Sequence, residues 1–152
     1  MDTRIINILT ASTNIFGLLP YSYVKSRNIV LSRCILLVIM ASIFMHLSET
    51  KHDLVGIYPL NQYSNLFLNI DRVTSISITT LILYWYYKYQ IKLPIIGFIG
   101  IICLFISEHI NNQIVFLLFH NLWHMLGYQG LYLVLYDLYG EYHITPSVKS
   151  VQ

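Results

Sequence analysis

The sequence predicts an all-α fold, a polytopic transmembrane helix bundle of about five spans. Two observations carry that reading. The 152 residues are 56% hydrophobic and only 11% charged, with a mean hydropathy of +0.60. A soluble domain carries about 25% charged residues, so this chain has too few to cover a soluble surface. The apolar residues also gather into stretches close to the roughly 20 that a helix needs to cross a hydrocarbon core. A net charge of +2 and the lack of any Lys/Arg-rich block argue against nucleic acid as a partner and against a polybasic lipid-binding tail. The expected partners are membrane lipids.

The first span is expected over about 5–24. In "MDTRIINILTASTNIFGLLPYSYV", Asp2 precedes Arg4, and Thr10, Ser12, Thr13 and Asn14 interrupt the apolar run. No A-x-A cleavage site follows, so the stretch reads as a retained span and not a signal peptide. The second span, "IVLSRCILLVIMASIFMHLS", covers 29–48. A polar, turn-prone connection containing Pro59 follows it. The third is placed at 66–87, although it could begin as late as Arg72. It ends at "YWYYKY", where Tyr and Trp beside a lysine suit a headgroup interface.

The fourth span, 93–107, is short and has a proline acceptable in a first turn. The fifth runs over about 112–137, and 138–152 reads as an exposed tail. The chain is a single transmembrane domain with no internal repeat. Cys34 and Cys103 each lie in an apolar stretch and read as small buried packing residues. Lys25, Arg27 and Arg33 flank the first loop, and Lys88 and Lys92 the third. The excess of positive charge in those loops places the N-terminus outside and the C-terminus in the cytosol.

Ionisable groups at membrane depth are costly and tend to mark function. Four candidates stand out: His46, Asp71, His120 and His124. The last two are four apart and share one helical face. The alternating topology puts all four in one leaflet. Three imidazoles and a water match a zinc site of the catalytic type, with Asp71 free to orient a histidine or take a proton. Ser42, four before His46, lies on the same face of its helix; alternatively its hydroxyl bonds back to its own helix. One expectation fits poorly. From a rise of 1.5 Å per residue, His120 and His124 lie roughly 12–18 Å below the start of their span, while His46 is near the end of its own. The site closes only if the second helix runs past Glu49 or the fifth starts later.

The set "SIFMH" (Ser42, His46), "LNIDRVTS" (Asp71) and "HNLWH" (His120, His124) resembles the CREST superfamily of seven-span membrane proteins. That group includes alkaline ceramidases, progestin and adiponectin receptors, Per1-like lipid-remodelling proteins and the myomaker branch. "ASTNIFGLLP" and "FHNLWHML" are closest to the myomaker-like branch. The resemblance implies a zinc ion on His46, His120 and His124, with Asp71 positioning a water and Ser42 assisting. The implied reaction is hydrolysis of a lipid amide bond in a sphingolipid-like substrate. This chain departs from the pattern in having five expected spans, and an acidic calcium-binding segment is not visible at its N-terminus.

The other polar residues have plainer readings. His52 and His109 are expected in solvated loops and His143 in the tail. Glu108 reads as a loop carboxylate, and Arg72 as a possible ion-pair partner of Asp71. Trp123 reads as a packing residue, and Gly97, Gly100, Gly127 and Gly130 as points of close helix approach. Three functions are open at this stage: a zinc-dependent lipid amide hydrolase, a catalytically inactive receptor-like or fusion-promoting membrane protein, and an ion or proton pathway. The last would need acidic residues at other depths, which are missing from the spans.

Overall fold

The computed structural model describes residues 2–140 and is all-helical among them. Helix α1 (Thr3–Ser12) tightens into a 3-10 turn over Thr13–Gly17 and continues as α2 (Leu18–Lys25). Every junction residue stays in the right-handed helical region, so the winding is continuous. Pro20 explains the tightening, because it lacks an N–H and its ring crowds the carbonyl four residues back, that of Phe16. Asp2 caps the start, its side chain accepting from the Arg4 N–H.

Helix α3 (Ile29–Ser48) begins at Asn28, whose side chain accepts from the Leu31 N–H, and stops at Glu49, where the backbone turns extended. After a loop and a short 3-10 turn, α4 (Ser64–Tyr89) ends on Gln90 in the left-handed region. Helix α5 (Ile95–His109) starts after Pro94. In α6 (Gln113–Gly140), Asn112 Oδ1 accepts from the Ile114 and Val115 N–H groups at the start.

Successive passes run antiparallel, as the contacts between their ends require. Asn7 reaches the backbone of Glu49, and Gln113 that of His52 and Asp53. At the opposite end Asn28 bonds Tyr139, and Lys92 N–H donates to Asp137. Lys25, Arg27, Lys88 and Lys92 therefore gather at one end, with Glu49, Asp53 and Glu108 at the other.

The tightest pairing is α5 on α6, and its cause is a matched set of glycines. A Cβ on Gly130 would lie 3.1 Å from the Gly97 Cα, and one on Gly100 would lie 3.3 Å from the Gly127 N. Small residues let the two backbones approach and gain dispersion contact. Trp123 lies across Gly100 and Gly127, as a packing residue should.

Two apolar clusters form the core. The larger joins Val24, Leu31, Ile35, Ile39, Tyr128, Leu131 and neighbours; the smaller joins Ile6, Leu54 and Phe116. Between them lies a polar layer that includes His46, His120 and His124.

Five passes were expected to span a membrane. Two helical segments are long and apolar enough to cross one: Ile29–Ser48 and Leu60–Tyr89, the latter with none of its most apolar window buried in the fold. Helix α5 is apolar but only 15 residues long. Helix α6 has the length at 28 residues, yet His120, Asn121, His124 and Gln129 lower its hydropathy.

Several local expectations need correction. Cys103 is buried, but Cys34 is exposed, because it lies on the outer face of α3 away from Ile35 and Ile39. His109 and Glu108 belong to the last turn of α5, not to a loop. The helix expected to end at 137 continues to Gly140, so residues 138–140 are helical. The rest of the expected tail, including His143, lies outside the described residues. Arg72 forms no ion pair with Asp71; among the described residues the lysine–carboxylate salt bridge is Lys51–Glu108, and Glu49 meets the His46 imidazole as a hydrogen-bond partner.

Candidate metal centre

His46, His120 and His124 meet. One nitrogen from each lies within 4.8 Å of the others, and all three residues are buried. The ring of His46 is 4.6 Å from that of His120 and 4.9 Å from that of His124, centroid to centroid. The depth mismatch anticipated from the sequence is resolved by the loop after α3. That helix does stop at Ser48. The loop folds back, with Ile57 N–H bonded to the Leu47 carbonyl, and rises beside the first turns of α6. Gln113 holds it through the His52 and Asp53 carbonyls, and His52 stacks on Phe116 at 4.5 Å. Helix α6 thus begins well above the end of α3, and its seventh and eleventh residues beyond Gln113 descend to the level of His46. His52, expected to be solvated, is half-buried for the same reason.

The outward nitrogen of each imidazole has a partner, and each partner is an acceptor. His46 Nδ1 lies 3.0 Å from Glu49 Oε2, and an ionised carboxylate only accepts. His124 Nδ1 lies 2.7 Å from Thr13 Oγ1, whose own hydrogen goes to the Thr10 carbonyl at 2.7 Å. His120 Nδ1 lies 3.1 Å from Ser107 Oγ, whose hydrogen goes to the Leu104 carbonyl at 2.8 Å. With the hydroxyl hydrogens on those carbonyls, the network accommodates each imidazole with its proton on Nδ1 and a bare Nε2, a tautomer inferred from the partners and not observed.

The Nε2 atoms of His46 and His124 are 3.2 Å apart. Two lone pairs that close repel unless a proton or cation lies between them. A tetrahedral zinc ion with Zn–N of about 2.0–2.1 Å has ligand-to-ligand edges of about 3.3–3.4 Å. One pair is thus close to a ligand edge and the three nitrogens lie within 4.8 Å, a spacing from which His46, His120 and His124 could hold a metal ion.

Ser42 is also buried, with Oγ 3.5 Å from His124 Nε2, on the side where the bare nitrogens face. A cavity of about 580 Å³ opens beside the cluster, and Ser42, Asp71, His46, His120 and His124 all line it. Most of its wall is apolar, with Val38, Ile78, Ile82, Ile101 and Leu131 leading away from the histidines. Helices α4 and α5 line opposite sides of this cavity and, although consecutive, do not pack on each other. All five residues singled out from the sequence thus line one cavity; the three histidines and Ser42 are in mutual reach, while Asp71 makes no hydrogen bond to them.

Sequence reasoning missed the outer partners Glu49, Thr13 and Ser107. Glu49 had a signal, three residues after His46 and so one turn on, but it falls in the polar connection after the second span. Burial pushes its carboxyl up to about 7, opposed by His52 and Lys51. A bound cation behind His46 would lower it. Thr13 and Ser107 offered no signal, since nothing local says which helix faces which. No family model, curated protein or solved structure matches this chain.

Proposed function

We propose that the chain is a small multi-pass membrane protein holding one zinc ion on His46, His120 and His124, and that it hydrolyses an amide bond in a sphingolipid-like lipid. The observation that carries this reading is the convergence of three buried imidazole nitrogens within 4.8 Å beside a largely apolar cavity. When bound, zinc would lower the pKa of a water to about 7 and polarise a carbonyl. In this reading Asp71 accepts a proton from a water in the cavity and Ser42 Oγ donates to the carbonyl oxygen of the substrate. The apolar wall takes a hydrocarbon chain, which enters sideways through the gap between α4 and α5. All five passes then lie in the bilayer, with the N-terminus outside and the basic end in the cytosol.

The resemblance of Ser42, His46, Asp71, His120 and His124 to the CREST set supports the assignment of chemistry. Detergent-purified protein is expected to contain about one zinc per chain by mass spectrometry and to release fatty acid from a ceramide. His120→Ala should lose the metal, and Asp71→Asn should keep it while losing turnover. Wild-type protein free of zinc would overturn the reading at its first step. The alternative is a catalytically inactive receptor-like or fusion-promoting protein, favoured by the open side between α4 and α5. It predicts zinc without turnover, and a cellular effect that survives Asp71→Asn.

A further inference from the structure

The three outer partners of the histidines are not equivalent. Thr13 and Ser107 are neutral hydroxyls that also bond their own helix carbonyls, at Thr10 and Leu104. Glu49 is a carboxyl group, its side chain is only 7% exposed, and its Oε2 lies 3.0 Å from His46 Nδ1. A buried carboxylate normally needs a cation. Lys51, two residues on, is paired with Glu108 at 3.7 Å instead. The Asn7 amide bonds the Glu49 backbone carbonyl, leaving the carboxylate itself to His46. The carboxyl group thus points at the one imidazole whose other nitrogen faces the cluster.

We infer that Glu49 is the positioning residue of the metal centre: its carboxylate holds the His46 Nδ1 proton, aims Nε2 inward, and supplies the negative charge that balances the bound cation. This rests on the metal reading above. A carboxylate on the outer nitrogen fixes tautomer and ring orientation and raises the basicity of the ligating nitrogen. Glu49 is able to do this because α3 ends there. It lies one turn after His46, and at the extended backbone of the helix end its side chain reaches His46 Nδ1.

The test is zinc affinity, measured by competition with a chelator on detergent-solubilised full-length protein. Glu49→Gln keeps shape and leaves the Asn7 contact intact, so a purely structural role would leave affinity unchanged. Loss of the charge is expected to weaken zinc binding about ten- to a hundred-fold, while Lys51→Gln leaves it as it was. A folded Glu49→Gln that binds zinc as tightly as wild type overturns the inference alone. Wild type that binds no zinc overturns the metal reading and the inference together. Should Glu49→Gln fail to fold, nitrogen NMR of the zinc-loaded wild type decides the matter. Metal on Nε2 of His46 with a proton on Nδ1 is required, and metal on Nδ1 is fatal.

Discussion

His120 and His124 are held by hydroxyls from two different elements, Ser107 on α5 and Thr13 in the 3-10 turn. A hydroxyl acceptor orients an imidazole without adding charge, so its loss should cost less than that of a carboxylate. Thr13→Val removes the acceptor and keeps the branched shape. It is expected to weaken zinc binding by several-fold, less than the tenfold or more lost on removing an orienting carboxylate, as read in the same chelator competition. A larger loss for Thr13→Val than for Glu49→Gln would put the energetic weight on the wrong partner. Ser42 is a separate case, because its hydroxyl faces the bare nitrogens and not the outer ones.

At the scale of elements, the polar residues that interrupt the first pass are its working face. Asn7, Thr10 and Asn14 are buried. Each is satisfied in part: Asn7 on the Glu49 carbonyl, Thr10 on its own helix, Asn14 by the Tyr128 hydroxyl. The α5–α6 pair depends on small residues instead. Gly130→Leu would drive a side chain into the Gly97 backbone, and a backbone has little room to give. Overpacking of this kind costs about 1–3 kcal/mol. The expected result is a lower midpoint of unfolding in detergent, with loss of zinc as α5 shifts Ser107 away from His120. Unchanged stability would mean that α5 and α6 are not seated glycine to glycine.

For the whole molecule, the separation of charge between the two ends sets the expected orientation. Lys25, Arg27, Lys88 and Lys92 share one end, which in the proposed orientation faces the cytosol. No N-x-S/T acceptor exists in the chain, so glycosylation sites can be introduced without background. An acceptor placed near Lys51 is expected to be modified when the protein enters microsomes, and one near Lys88 to remain bare. The reverse pattern would invert the bundle, and modification at neither would argue that the helices do not cross. Side chains such as Val73, Ile76, Phe105 and Ile114, all more than half exposed, would then face water, an arrangement that favours aggregation.

The long apolar stretches of the sequence pointed to helices, and the described residues are all-helical. The fourfold spacing of His120 and His124, and of Ser42 and His46, was equally legible, since a helix places such pairs on one face. The glycine pairs of α5 and α6 were visible as spacing, but not as partners. That His46 meets the other two histidines depends on a loop that lifts the start of α6 above the end of α3, and a rise-per-residue argument on isolated spans has no access to it. The outer acceptors were hidden for a related reason. Thr13, Glu49 and Ser107 belong to three separate stretches, and which hydroxyl or carboxylate faces which imidazole is settled by inter-helix register. Local periodicity encodes faces; only packing decides what each face meets.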